Sequence, residues 1–334
     1  MGNSLNDLNY EKGLLIHHWD TDGMSAAALI LRKFSDLETM TPSIGNYFLN
    51  EGDKDRINEI DPDIVIVADM ALPERSIEFL NRFGDVYIFD HHLQEKHDVE
   101  LHHNPVIEGR SPRKYPSASW VVGEYFGHEP NLLTILGAFG DREDKLKENQ
   151  YAIEIIEQLL EGWNVDFECL LRCAEYLDSL YKLGERSQIE RVPHQLKNFE
   201  KPEDVLNLNG LKENVEKLKS AVEKEACGNI EEIGNNVLFK EMASPYNIIS
   251  TVTRKIAWDN EDKIVIVSNC KFKEGECQVY IRGPIPDSKK MIQKAKEEGY
   301  SAGGKEDVVG MVIPTSDKDE FMDKIVKLLE DQMG

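Results

Sequence analysis

Four side chains of ligand type crowd the stretch HHWDTDG: His17, His18, Asp20 and Asp22 follow the apolar run GLLI and precede another, MSAAALILRKF. A helix cap at such a joint needs one Asp. Two imidazoles and two carboxylates make a donor set for a divalent cation. The pattern recurs along the chain: IVIVA ends in Asp69, VYIF ends in Asp90, His91 and His92, and LLTILGAFG ends in Asp141. Packed carboxylates with no Lys or Arg beside them repel, and one would have to take up a proton. A pair of divalent ions removes that conflict, and mixed Asp/His ligation suits Mn²⁺ or a similar borderline ion better than Ca²⁺. Taken singly, each group has a plainer use: Asp22 could cap the helix beside it, and Asp69 could sit in a turn before Pro73.

The elements that must position these groups are short. GLLIHH (13–18), SIGNYFLN (43–50), DIVIVADM (63–70) and DVYIFD (85–90) read as strands, with helices over DGMSAAALILRKF and PERSIEFLNRF. Buried strands alternating with helices predict a doubly wound, mostly parallel α/β sheet. In such a sheet the carboxyl ends of the strands line one crevice, where ligands bind. From about Asn149 to Glu200 the pattern is helical. Between 211 and 226, Leu211, Val215, Leu218 and Val222 share a stripe, which predicts a connecting helix. Past 229, NNVLFKE, KIVIVSN, CQVYIRG and VVGMVIP alternate with helices near 246–257, 287–298 and 317–332, a second and smaller α/β domain. The expected division is a metal-binding domain over 1–190, a helical linker over 191–228 and a substrate-binding domain over 229–334.

In order and spacing, HHWDTDG, VADM, FDHH and GAFGD resemble the four successive motifs of the DHH phosphoesterase family, and of its RecJ-like members of archaeal type in particular. The resemblance implies a two-metal site. His18 and Asp20 would hold one ion, Asp22, His91 and Asp141 the other, and Asp69 would bridge them. One departure is Ile16, where some relatives place the leading His, so His18 or His17 must serve. His92 would face the scissile phosphate, and Asp90 would orient a histidine. A bound ion pair would acidify a shared water and neutralise phosphate oxygens, while His92 stabilised developing charge or protonated the leaving oxygen. HNP (103–105) and YPSASW (115–120) resemble the segment after the DHH motif, so His103, Ser117 and Ser119 join the substrate-contact candidates, with Arg113 nearby. QVYIRG and GYSAGGKEDVVGMVIP resemble the substrate-binding domain that follows DHH domains, which puts Arg282 on phosphate and Gly303 and Gly304 close to a nucleotide. Lys305 stands where the family has His. It can meet a phosphate as a point charge but cannot transfer a proton at neutral pH as His could.

At 334 residues the chain can bury two cores. Its net charge of -23 repels polyanions at long range. Attraction must come from bound cations or from local basic groups: Arg110, Arg113 and Lys114, and Arg282 with Lys305. No P-loop and no HExxH helix is present. Five cysteines without a CxxC pair fit a reducing cytoplasm better than a disulfide framework, and no apolar run is long enough for a membrane span. The expected activity is a hydrolase acting on phosphodiester bonds, a Mn²⁺-dependent exonuclease on single-stranded DNA or RNA, with Mg²⁺ or Co²⁺ as other ions. The alternative is an oligoribonuclease or a cyclic-dinucleotide phosphodiesterase, and a third reading is a non-catalytic replication scaffold. The sparse basic track implies short oligonucleotides, or a strand delivered by a helicase or a replication or repair protein.

Overall fold

In the computed structural model, which describes residues 8–233 and 236–333, five short runs become a parallel sheet. They are β1 (Gly13–His17), β2 (Glu38–Met40), β3 (Ile64–Ala68), β4 (Asp85–Phe89) and β5 (Leu101–His103), in the order β2-β1-β3-β4-β5. Every residue of β1 and β3 is buried, as strands covered on both faces must be. Helix α1 (Thr21–Lys33) is buried from Thr21 through Leu31, which explains why its sequence is apolar all round. The helices α2 (Glu51–Ile60), α3 (Glu74–Leu80), α4 (Ala118–Tyr125), α5 (Leu132–Arg142), α6 (Ile153–Trp163), α7 (Phe167–Leu183), α8 (Arg186–Leu196) and α9 (Pro202–Leu206) complete this part. Among them, α4, α5 and α8 pack on α1. The chain divides into two compact units, Met1–Asn214 and Val215–Gly334, with α10 (Leu211–Ala226) running through the boundary.

The strand expected over 43–50 does not form. β2 lies earlier, pairing Leu14 with Glu38 and Ile16 with Met40, and Pro42 then removes a backbone donor. Gly45 follows at φ +89°, and the Asn46 N–H donates to the Ser43 carbonyl at 2.9 Å, so the segment turns instead of extending.

Register fixes where the strands stop. His17 pairs with Ala68, Ala68 with Phe89, and Phe89 with His103. One residue further, the N–H of His18 donates to the Ala68 carbonyl (3.3 Å), that of Asp69 to the Phe89 carbonyl (2.9 Å) and that of Asp90 to the His103 carbonyl (3.2 Å). The ligand-type residues therefore stand in one row at the carboxyl edge. The strand order reverses at β1, so this row sits at the switch point where open parallel sheets bind ligands.

The second unit holds a six-stranded, mostly antiparallel sheet. It comprises β6 (Glu231–Ile233), β7 (Val237–Met242), β8 (Ile264–Asn269), β9 (Glu276–Arg282), β10 (Ser301–Lys305) and β11 (Val308–Pro314), in the order β10-β11-β9-β8-β7-β6. Its helices are α11 (Ile249–Trp258), α12 (Ser288–Glu297) and α13 (Lys318–Met333). Alternate residues of β9 and β11 are buried, and Ile266, Val279, Ile281, Met311 and Phe321 share their core. The glycine-bearing segment forms a hairpin, with Gly303 opposite Gly310 and Gly304 opposite Val309. Cysteine chemistry departs from expectation: Cys270 and Cys277 form a disulfide. They flank the turn between the antiparallel strands β8 and β9, a proximity that a spacing of seven does not announce. Cys169 and Cys173 are buried on α7, as packing residues should be. No described helix is long and apolar enough to cross a membrane.

Candidate metal centre

The row at the sheet edge brings the ligand-type atoms together in three overlapping groups: His18, Asp20 and Asp69; Asp22, His91 and Asp141; and Asp69, Asp90, His91 and His92. Within each group the atoms lie within 4.8 Å of one another, the spacing a metal ion requires of its ligands. Asp69 stands between the first two. One of its oxygens, Oδ2, is 3.6 Å from His18 Nδ1, and the other, Oδ1, is 3.6 Å from His91 Nε2. His18 Nδ1 is also 2.6 Å from Asp20 Oδ2, and His91 Nε2 is 3.1 Å from Asp141 Oδ2 and 3.8 Å from Asp22 Oδ2. The backbone of Asp69 is left-handed at φ 60°, a conformation Asp tolerates better than most residues and one that gathers at functional sites.

Neighbouring elements hold each group from behind. Asp20, not Asp22, caps α1, accepting from the Gly23 N–H at 3.0 Å. Asp22 points into the N-terminus of α4 and accepts from the N–H groups of Ala118 (2.6 Å) and Ser119 (2.9 Å). Asp141 rides on the last turn of α5. The carbonyl of Tyr115 lies 3.4 Å from His91 Nδ1, which fixes the ring with Nε2 toward the acids. Asp90 orients a histidine, and that histidine is His92: its Nδ1 lies 2.8 Å from Asp90 Oδ1. The His92 side chain is 48% exposed, so Nε2 is presented outward.

Electrostatically the centre is short of positive charge. Among the described residues, the acids of this row make ion pairs with histidines alone. Burial raises the Asp69 carboxyl well above the usual range, and the charges of Asp22, Asp20, Asp141 and Asp90 push it further. Burial and Asp141 lift Asp22 to about 6 despite His91. Asp20 goes the other way, to about 2, because His18 and the Gly23 N–H outweigh its burial. Buried His18 Nε2, His91 Nε2 and Asp69 Oδ1 have no hydrogen-bond partner among the described residues. Orphaned buried atoms of this kind are costly, and hard and borderline donors converging without a cation are what a divalent ion would satisfy.

No family model matches the sequence, and no curated sequence is similar to it. Solved structures are similar in fold. Exonuclease RecJ bound to manganese matches with a TM-score of 0.65 at 16% identity, over 94% of this chain and 89% of that one. RecJ from Thermus thermophilus in complex with Mn²⁺ also gives 0.65 at 16% identity, over 96% of this chain and 52% of that one. The DHH domain of a member of a ribosomal-protein family gives 0.63 at 16% identity, over 95% and 86%. The chain has the RecJ-like DHH phosphoesterase fold.

In this DHH sheet, other candidate residues lie in plainer places. Ser117 and Ser119 are fully buried. Their hydroxyls are 2.9 Å apart, Ser119 donates to the Thr134 carbonyl, and Ser117 caps α4, so neither faces solvent. Their segment serves Asp22 through backbone N–H groups. His103 packs edge-on against Phe89 and beside Tyr125. It is the next residue, Asn104, that matters here: fully buried, it donates to the His92 carbonyl at 2.8 Å and steadies the loop carrying both histidines. Arg113 is exposed, its carbonyl taken by Asn149. In the second unit Arg282 pairs with Asp307 at 3.3 Å, and Gly303, Gly304 and Lys305 are exposed along β10. Sequence reasoning missed Asn104, Gly137 and the Thr21–Asp178 pair, in which the Thr21 hydroxyl donates to Asp178 Oδ1 at 2.7 Å. The available signals were the HNP motif, which contains Asn104, and a glycine inside the apolar run of α5, where an added Cβ would come within 2.1 Å of Asp22 Oδ1.

The cluster ties stability to pH. Its acids, Asp141 and Asp22 chief among them, outweigh burial and raise His91 from 6.5 to about 9, and Asp20 raises His18 in the same way. Between pH 6.5 and 9 the folded chain therefore binds more protons than the unfolded one, so stability must fall as pH rises through that window. In chelator, thermal melts should show a loss on the order of 2 kcal/mol over it, several degrees in Tm. Saturating Mn²⁺ should flatten or reverse the slope, because ligation needs the deprotonated groups. Identical pH profiles with and without the ion would mean the cluster binds none.

Proposed function

We propose that the protein is a divalent-metal-dependent phosphodiesterase that removes nucleotides from the end of single-stranded DNA or RNA. The observation that carries this is Asp69, whose two oxygens face two separate donor sets at the switch point of the sheet. His18 and Asp20 would hold one ion and Asp22, His91 and Asp141 a second, with Asp69 shared. Bound ions would supply a water acidified toward neutrality and a counter-charge for the phosphate, with Mn²⁺ preferred and Mg²⁺ or Co²⁺ possible. The chain's own residues do the rest. Asp22 is held rigid by α4. His92, with Nδ1 committed to Asp90, offers Nε2 to hold or deliver a proton at a phosphoryl or leaving oxygen.

A second reading is favoured by how the basic residues are spent. Arg110 is bonded to the Tyr115 hydroxyl at 2.7 Å and lies 3.6 Å from Glu124, and Arg282 is paired with Asp307. With a net charge of -23, little remains to grip a long polyanion. Short oligonucleotides, with cyclic dinucleotides among them, therefore suit the centre, or a helicase or repair protein hands it the strand. Cytoplasmic location accords with such substrates.

The test uses single-stranded oligomers labelled at either end and protein stripped by chelator. Mn²⁺ should restore hydrolysis, the ladder should give the direction of attack, and rates on a dinucleotide against a long strand should separate the two readings. Equal product with chelator and with any of the three ions would refute the proposal.

A further inference from the structure

Beside the metal centre the chain exposes an aromatic ring on a loop built to hold it there. Tyr47 is 62% exposed. Its ring stacks on His18, centroids 5.7 Å apart and planes 28° from parallel, and lies 5.3 Å from the Trp19 ring. His18 belongs to the first donor group, so the Tyr47 ring is one side chain away from the candidate ion site. The loop is not a loose excursion. Ile44, Asn46 and Leu49 are buried on either side of Tyr47. Arg186 donates to the Thr41 carbonyl at 2.9 Å and to Asp53 Oδ1 at 2.7 Å. Asp53 is fully buried and also accepts from Ser43 and Asn50. Glu190 accepts from the Thr41 N–H at 3.1 Å while Arg56 holds it with two bonds.

An exposed tyrosine alone says little, since apolar atoms make up much of any surface. What distinguishes Tyr47 is the number of contacts that fix its loop and the group it is fixed against. We propose that Tyr47 is the stacking platform for the nucleobase next to the scissile phosphodiester. The inference rests on the phosphodiesterase reading and adds the part of the substrate that the metal centre leaves unrecognised. A carboxylate cluster engages phosphate only, through its ions, and no described arginine or lysine pairs with the cluster acids. A flat ring held in advance offers every base a π-face, independent of its hydrogen-bonding edge, and it loses little freedom when the substrate arrives. It therefore predicts a site that requires a base at that position and tolerates any of the four.

The experiment measures kcat and KM on a short single-stranded oligomer with Mn²⁺, and on the same oligomer with an abasic residue beside the cleaved bond. Tyr47→Leu should raise KM about ten- to a hundredfold on the intact strand with kcat unchanged, the mark of lost substrate binding. Tyr47→Phe and Tyr47→Trp should stay near wild type. The wild-type enzyme should discriminate against the abasic strand by the same factor, and Tyr47→Leu should not discriminate. Tyr151→Ala, which removes another half-exposed ring, should change nothing. Equal KM for intact and abasic strands in the wild type overturns the stacking role alone, as does a Tyr47→Leu variant that loses kcat at constant KM. A wild type that hydrolyses no oligomer with any ion overturns the phosphodiesterase reading, and the platform with it.

Discussion

Asp69→Asn is expected to lower the metal-dependent rate by at least about a hundredfold while leaving the ion-free protein as stable as the parent, or more so. Both halves follow from the same carboxylate. Its oxygens are directed at His18 on one side and His91 on the other, so losing its charge would take a candidate shared ligand from both donor sets at once. In the ion-free protein that charge is a burden: burial and four acids raise its pKa, and the group is stabilised by becoming neutral. An amide of the same shape removes the repulsion permanently. Asn is the right replacement because the backbone there sits at φ 60°, which Asn adopts readily, whereas Ala would add a conformational cost of its own. Activity should fall and the melting temperature in chelator should hold or rise, the trade expected where a site stores unfavourable charge for function. A variant that melts lower and also loses activity would point to a structural role. A variant with parental rates would remove Asp69 from the chemistry.

The residues that could meet a metal were legible because they break the local rules of their elements. IVIVA and VYIF are buried strands, and a strand that ends in Asp69, or in Asp90, His91 and His92, has no packing reason to do so. What fixes those residues in place was not legible, because it acts across long separations. Asp22 is bonded to the backbone of Ala118 and Ser119, and Thr21 to Asp178. No period of 2 or 3.6 residues carries such a contact. Ser117 and Ser119 illustrate the consequence: their hydroxyls bond to each other and to the Thr134 carbonyl, while the N–H groups of their segment hold Asp22. The misplaced second strand has a different origin. SIGNYFLN has enough apolar and aromatic residues to pass for a strand, but Pro42 and Gly45 govern the local backbone, and the tertiary contacts of Arg186 and Asp53 then shape it as a loop.

Gly137→Ala should cost about a hundredfold in rate without touching a candidate ligand's own identity. Gly137 lies inside α5, where Ala is the better helix former by about 1 kcal/mol. A Cβ there would come within 2.1 Å of Asp22 Oδ1 and 2.2 Å of Ser119 Oγ. Neither contact is tolerable, and neither neighbour is free to move. Asp22 is pinned by two backbone N–H groups of α4, and Ser119 by its bonds to Ser117 and the Thr134 carbonyl. The methyl therefore displaces the carboxylate toward the cluster or pushes α5 away, and α5 carries Asp141. Either shift alters the spacing of Asp22, His91 and Asp141, which share one donor group. Overpacking adds a stability loss of roughly 1–3 kcal/mol. Gly162→Ala is the matched control. It lies within α6, its added Cβ would meet no atom within 4 Å, and it should raise stability by about 0.5–1 kcal/mol with activity unchanged. Rates and melts of the two variants side by side separate close approach from helix propensity. Parental activity in Gly137→Ala would show that Asp22 does not need the position it occupies.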